Sequence, residues 1–82
     1  MSIYRIQTVQ EKTGLGCKAS VYNGVRDGVL TKPVKIGERA VGWPEHEVDA
    51  INAARIAGKS KAEIRELVQR LHAKRVELLT AV

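Results

Sequence analysis

Glycine and proline divide this chain into short segments, and that division constrains its fold more than any other feature. Gly14-Leu15-Gly16 separates two short helical patterns, and Gly28 ends the second of them. Lys32-Pro33 then prevents any continuation as a helix, and Gly58 ends a later helical pattern. In a chain of 82 residues, segments this short can form one small domain with a small core.

Two short helices are predicted on either side of the first glycine turn. Thr8 and Glu11 have the spacing of a capping box, so the first helix is expected from Val9 to Thr13. The second helix is expected from Cys17 to Asp27, although Gly24 in its middle costs about 1 kcal/mol relative to alanine. Its apolar residues recur on one face: Cys17, Val21 and Val25.

A two-stranded hairpin is predicted between Val34 and Val41. Residues 34–36 alternate between apolar and basic types, which is the period of a half-buried strand. Gly37 permits the reversal of the chain, and residues 40–43 form the return strand. We place Trp43 in the core, where it anchors the hairpin to the helices.

Two further helices are predicted after the hairpin. Pro44 fits the first turn of the third helix, and Glu45 and Glu47 favour its positive N-terminal end. Ser60 and Glu63 form a second capping box at the start of a long final helix. The apolar residues of that helix form one stripe: Ile64, Leu67, Val68, Leu71, Leu78 and Leu79.

This order of elements predicts a mainly α fold, a winged helix-turn-helix with a small two-stranded hairpin wing and a long C-terminal helix. We assign residues 1–58 to the DNA-binding domain and residues 59–82 to the amphipathic helix. A contiguous apolar stripe is unusual on a soluble monomer, so this helix is expected to pack on the domain or to pair two subunits. We favour the homodimer, with a dimer face made of Ile64, Leu67, Val68 and Leu71.

The charge of the chain is concentrated in its first half. The formal net charge is +5, and residues 1–43 contain seven basic but only three acidic residues. This asymmetry favours a polyanionic partner, although many small soluble proteins are mildly basic. The single cysteine and the absence of a long apolar run or a signal peptide predict a protein of a reducing, cytoplasmic compartment.

The predicted fold indicates which residues would read DNA. A helix-turn-helix unit places its second helix in the major groove. At 100° per residue, the side opposite the apolar face carries types that pair with bases, since asparagine suits adenine and arginine suits guanine. The cations of the hairpin suit phosphate contacts. The alternatives are a solvated helix face and an edge strand guarded by lysines. The outward residues are Ala19, Tyr22, Asn23 and Arg26, with Ser20 and Asp27 at the margin, and the hairpin cations are Lys32, Lys35 and Arg39.

Short motifs between Tyr4 and Ala57 carry a resemblance to a known family. They are Thr13-Gly14-Leu15, Ser20-Val21-Tyr22, Gly28, Lys32-Pro33-Val34-Lys35-Ile36-Gly37, Arg39-Ala40-Val41-Gly42-Trp43 and Glu47-Val48-Asp49-Ala50. This pattern resembles the AlpA family of prophage transcriptional regulators, which have a winged-helix fold like that of MerR proteins and excisionases. The resemblance implies DNA binding by Lys18 to Arg26 in the recognition helix and by the Lys32–Arg39 wing. It also implies control of an integrase or of an excision event in a mobile element.

Catalytic and cofactor-binding sites are not predicted. Gly14 to Ala19 match a dinucleotide-binding string, but that site needs a strand before the glycines and a helix pattern precedes them here. Cys17, His46 and His72 lack the spacing of a zinc site, and Cys17 is expected to be a small buried residue. We therefore expect no enzyme activity, cofactor, metal or small-molecule ligand.

The leading hypothesis is a sequence-specific regulator that binds double-stranded DNA in the cytoplasm, at the bacterial nucleoid when bound. An excisionase-type accessory factor that bends DNA is an alternative within the same fold. Another alternative is a protein-interaction module that uses the helix from Ser60 to Ala81. An RNA-binding accessory protein is a more distant alternative, because Tyr4, Tyr22 and Trp43 form no stacking cluster in the sequence.

Overall fold

The described part of the chain contains four helices and three short strands. The structure is a computed structural model that describes residues 2–81 and the side chains of residues 2–77. The element order confirms the predicted winged helix-turn-helix with a long C-terminal helix. The elements are β1 (Ile3–Tyr4), α1 (Ile6–Thr13), α2 (Lys18–Arg26), β2 (Val34–Lys35), β3 (Val41–Pro44), α3 (Glu45–Ile56) and α4 (Lys61–Ala81).

Helix α1 begins earlier than the sequence pattern predicts. Its first residue is Ile6 and its N-cap is Arg5, so Thr8 lies inside the helix and the predicted capping box with Glu11 is wrong. The amide of Val9 donates to the carbonyl oxygen of Arg5 at 3.0 Å. The cause is strand β1, which pairs with β3 up to Tyr4. The chain therefore enters the helix at Ile6, two residues before the predicted cap Thr8.

The predicted helix stops at Gly28 and Gly58 are confirmed. Both glycines have a left-handed backbone, with φ of 80° and 81°. After α2, the amide of Gly28 donates to the Val25 carbonyl and the amide of Val29 to the Gly24 carbonyl. Gly58 and Lys59 make the same pair of bonds after α3. These are Schellman motifs, in which a residue without a side chain relieves the cost of the left-handed conformation.

The predicted hairpin is present, and a third strand that the sequence did not predict joins it. Strands β2 and β3 are antiparallel, with Val34 opposite Gly42, and β1 pairs with the other edge of β3. Pro44 ends β3 and is the N-cap of α3, so it lies just before the first turn of the helix and not within it, as the sequence predicted. Strand β1 is two residues long, too short for its alternation to be recognised in a sequence.

All four helices and strand β3 contribute to one hydrophobic core. Trp43 lies there as predicted, fully buried, with its indole nitrogen donating to the Thr31 carbonyl at 2.8 Å. Cys17 was expected in this core but is exposed, because it is the extended N-cap of α2 and not part of its apolar face. The core residues are Val9, Val21, Leu30, Trp43, Val48, Ile51, Ile64, Val68 and Leu71.

The apolar stripe of α4 is covered by the chain itself. Ile64, Val68 and Leu71 are at most 6% exposed, and Leu67 is partly buried against them. The helix begins at the predicted capping box, where the Glu63 amide donates to Ser60 Oγ at 3.2 Å. A dimer face was expected here because an apolar stripe exposed to solvent would have to be covered by a partner. These residues are buried within the chain, so that reason does not apply to them. Leu78 and Leu79 lie outside the described side chains.

A buried ion pair joins the start of α3 to α4. Glu47 is fully buried, and Arg75 donates to its two carboxylate oxygens at 2.8 Å and 2.6 Å. The same guanidinium donates to the carbonyl oxygen of Lys32 at 2.7 Å. The sequence predicted only a favourable dipole position for Glu47, whereas the structure gives it a partner 28 residues away.

We predict that Arg75→Met destabilises the fold by about 3–5 kcal/mol, because it leaves the Glu47 carboxylate buried without a partner. The double variant Glu47→Gln/Arg75→Met should lose less than Arg75→Met alone, since the uncompensated charge is then gone. Lys74→Met, at an exposed neighbouring position, is the control and should change stability by less than about 0.5 kcal/mol. Urea unfolding of the wild type and the three variants measures these differences, and a double variant that loses as much stability as Arg75→Met, or more, would contradict the pairing.

Gly24 and Gly42 should respond in opposite directions to substitution by alanine. A Cβ at Gly24 would lie 3.6 Å from that of Leu30, an ordinary contact, so Gly24→Ala should stabilise the fold by up to about 1 kcal/mol. A Cβ at Gly42 would overlap Cγ2 of Ile3 and lie 3.0 Å from the Tyr4 carbonyl oxygen. Gly42→Ala should therefore cost about 1–3 kcal/mol. Thermal unfolding tests both, and equal midpoints for the two variants would contradict this packing.

Candidate nucleic-acid interface

Helix α2 has one buried side and one exposed side. Val21 is fully buried and Gly24 is buried beside it, which fixes the rotation of the helix on the core. The opposite side carries the predicted outward residues, and Ala19, Tyr22, Asn23 and Arg26 are exposed there, with Ser20 half-buried at the margin. Lys18, the first residue of the helix, is exposed as well but lies about 60° from Val21 around the helix axis. The helix thus presents amide and guanidinium groups along one exposed side, with an ammonium group at its start.

Two of these side chains are already paired with each other. The Arg26 guanidinium donates to Oδ1 of Asn23, three residues earlier on the same side of the helix. A bidentate contact with adenine uses both polar atoms of an asparagine amide. Asn23 must therefore release Arg26 before it can bind adenine through both atoms. While Arg26 is bound to Oδ1, the amide nitrogen of Asn23 can still donate a hydrogen bond.

Tyr22 connects the exposed side of α2 to the sheet. Its ring is 43% exposed and lies 5.9 Å from the ring of Trp43, at an interplanar angle of 59°. This tilted arrangement is a favourable one for two aromatic rings. Tyr22 therefore has a packing role in the structure in addition to any contact its hydroxyl makes with a partner.

The three cations assigned to the wing occupy two different places. Lys35 is exposed on β2, and Arg39 is exposed in the loop that connects β2 to β3. Lys32 lies before β2, at the base of the hairpin. Its amide donates to Nε2 of His72 at 3.0 Å, and its carbonyl accepts from Arg75. Helix α4 thus holds the backbone of Lys32, while its ammonium group is at the surface.

Cys17 lies where α2 begins, beside the exposed side of the helix. Its sulfur is 3.3 Å from the hydroxyl oxygen of Ser20. Hydrogen bonds from the side chain and the backbone amide of Ser20 lower the pKa of the Cys17 thiol. Cys17 was predicted to be buried, but it is the N-cap of α2. The chain is extended there, so the side chain does not join the apolar face of the helix.

Helix α4 contributes residues to this region that the sequence did not indicate. Arg65 donates from Nε to the carbonyl oxygen of Asp27, the C-cap of α2, at 2.9 Å. Burial, and then the charge of Arg75, lower the pKa of His72, so its imidazole is neutral near pH 7 and can accept the Lys32 amide. These contacts join residues 38 to 43 positions apart, so no local spacing in the sequence could have revealed them.

The structure bears on two kinds of site that the sequence did not favour, a dinucleotide-binding turn and a metal site. The glycines at positions 14 and 16 lie between α1 and α2, so the strand that a dinucleotide-binding turn requires does not precede them. Among the described residues, no three His, Cys, Asp or Glu side chains are grouped so that they could hold a metal ion. Within the same residues, every helix is too short or too polar to cross a bilayer.

Comparison with known proteins identifies the family. The family model described as prophage CP4-57 regulatory protein (AlpA) matches residues 2–56, which span β1 to the end of α3. No curated protein and no solved structure shows significant similarity to the chain. The match covers about two thirds of the 82 residues and includes both helices of the helix-turn-helix and the whole wing. The chain belongs to the AlpA family of prophage regulatory proteins.

Proposed function

We propose that the chain is a sequence-specific DNA-binding regulator of a prophage or another integrated element, acting on integrase or excision control. The observation that carries this proposal is the orientation of α2. Its core side is fixed by Val21 and Gly24, so the side with Asn23 and Arg26 faces outward. The family is a prophage regulatory one, which favours DNA as the partner.

In the proposed complex, the two parts of the interface have different tasks. Asn23 and Arg26 read base edges in the major groove, because both side chains make bidentate contacts with purines. Lys35 and Arg39 hold the phosphate backbone through the wing, which positions the protein without reading sequence. Lys18 and Lys32 add positive charge at the start of α2 and at the base of the hairpin.

The protein-interaction alternative has lost the observation that favoured it. It depended on an exposed apolar side of α4, and Ile64, Val68 and Leu71 of that side are in the core. Among the described side chains of α4, the exposed large apolar residue is Val76, which is 66% exposed. DNA binding therefore explains more of the surface of this chain.

The first functional prediction concerns salt. Five cations, Lys18, Arg26, Lys32, Lys35 and Arg39, give a limiting slope of log K against log salt of roughly −4 to −5 per subunit. The preferred duplex, selected from a random library, should bind at least ~10³-fold more tightly than a scrambled duplex of equal length. Fluorescence anisotropy over a salt series measures both quantities. A shallow slope with equal affinity for the two duplexes would refute the proposed function.

Base reading is tested by Asn23→Ala/Arg26→Ala. This variant should collapse the ratio between the preferred and the scrambled duplex, while most of the binding to scrambled DNA remains, since the wing still holds the backbone. Arg70→Ala, which removes one charge from an exposed site on α4, is the control and should preserve the ratio. A preserved ratio in the double variant would mean that other residues read the sequence.

The wing is tested separately by Arg39→Ala. Because a phosphate contact carries no base information, this variant should weaken binding to both duplexes by a similar factor and make the salt slope about one unit shallower. Repeating the selection from the random library with Arg39→Ala provides the check. A changed preference with undiminished average affinity would show that Arg39 contacts bases and not the backbone.

A further inference from the structure

A small positively charged cleft lies between the end of α2, the segment that leads to β2, and α4. Its volume is about 190 Å³, below the ~300–1,000 Å³ typical of small-molecule sites. Its polar lining comes from Lys32, Arg65, Gln69 and His72, and no Asp or Glu of the described residues lines it. A cleft of this size and charge suits a single small anionic group.

The two cations of the cleft are held on a fixed frame. Arg65 uses its Nε to bind the Asp27 carbonyl, which leaves the terminal nitrogens of its guanidinium without a partner among the described residues. The backbone of Lys32 is held at both its amide and its carbonyl by His72 and Arg75. An anion placed here would meet a guanidinium whose direction is already set, at little cost in side-chain entropy.

His72 lies in the cleft as a neutral ring. Burial lowers its pKa, and the charges of Arg75 and Lys32 lower it further, against an opposing effect of Glu47. Since Nε2 accepts the Lys32 amide, the neutral ring carries its proton on Nδ1. The charge of Arg75 is neutralised by its pair with Glu47, so Lys32 and Arg65 remain the uncompensated cations.

We propose that this cleft is a phosphate-binding site and that, in the DNA complex proposed above, it holds a backbone phosphate beside the groove contacted by α2. The phosphate would accept from the Arg65 guanidinium and from the Lys32 ammonium, a pairing in which arginine provides two parallel donors. This inference rests on the proposed function for the source of the phosphate. It assigns a role in DNA binding to α4, which lies beyond the family match.

The DNA arm of the test uses Arg65→Gln, a residue that the base-reading and wing assignments do not include. Losing one phosphate contact should make the salt slope about one unit shallower and lower the affinity for both duplexes about fivefold near 0.15 M salt. Arg70→Gln is the matched control, because it removes the same charge from the same helix about 140° away around its axis. Arg65→Lys should restore most of the slope.

The phosphate arm separates the two sources of the anion. Inorganic phosphate is titrated into the wild-type protein and followed by amide NMR, with chloride at equal ionic strength as the reference. Saturable shifts at Gly28, Gln69 and His72 that Arg65→Gln abolishes, together with the loss of DNA affinity, support a backbone phosphate. The same shifts with DNA binding unchanged in Arg65→Gln would support a site for free phosphate.

The inference is overturned if Arg65→Gln behaves like Arg70→Gln in both arms. This result differs from failure of the proposed function, in which the wild-type protein itself shows a shallow slope and no preference between duplexes. The phosphate arm can still be scored in that case, because it does not use DNA. Thermal unfolding of Arg65→Gln shows whether the variant is folded, and Lys32→Gln, whose backbone contacts persist, gives an independent version of the phosphate arm.

Discussion

The buried pair of Glu47 and Arg75 connects three parts of the molecule at one guanidinium. Arg75 lies on α4, Glu47 is in the first turn of α3, and the Lys32 carbonyl belongs to the segment that enters the wing. Burying two charges costs several kcal/mol per ion, and the bidentate geometry offsets that cost without making the pair strongly stabilising. The pair therefore acts mainly on geometry, since any other register of α4 would leave the Glu47 carboxylate unpaired in the core.

The position of α4 in turn sets the relation between α2 and the β2–β3 hairpin. The segment between them, from Asp27 to Lys32, accepts a hydrogen bond from Arg65 at one end; at the other, its Lys32 carbonyl accepts from Arg75 and its Lys32 amide donates to His72. Leu30 and the Trp43–Thr31 hydrogen bond hold its middle against the core. A helix outside the family match thus holds the segment that connects α2 to the hairpin, the two elements that we propose to bind DNA.

The sequence predicted the features whose causes are local. The helix ends at Gly28 and Gly58 could be predicted because they depend only on a left-handed glycine and a few neighbouring backbone hydrogen bonds. The Ser60–Glu63 capping box depends only on a spacing of three residues. The exposed side of α2 followed from its helical period. Two errors arose where a distant partner decides the outcome: β1 moved the start of α1 away from Thr8, and Arg75 gave Glu47 a buried role. The error at Cys17 was local, because that residue is the N-cap of α2 and not part of its apolar face. The cleft at Arg65 depends on such contacts throughout, so no pattern in the sequence could locate it.

One hydrophobic core contains residues from both sides of Gly58. Ile64, Val68 and Leu71 of α4 belong to the same cluster as Val9 of α1 and Val21 of α2. A boundary after Gly58 would divide that cluster, and a domain of about 60 residues buries too little surface to lose three core residues easily. The outward direction of Asn23 and Arg26 therefore depends on α4 as well as on α2, because the helix that presents them is seated on a core that α4 completes.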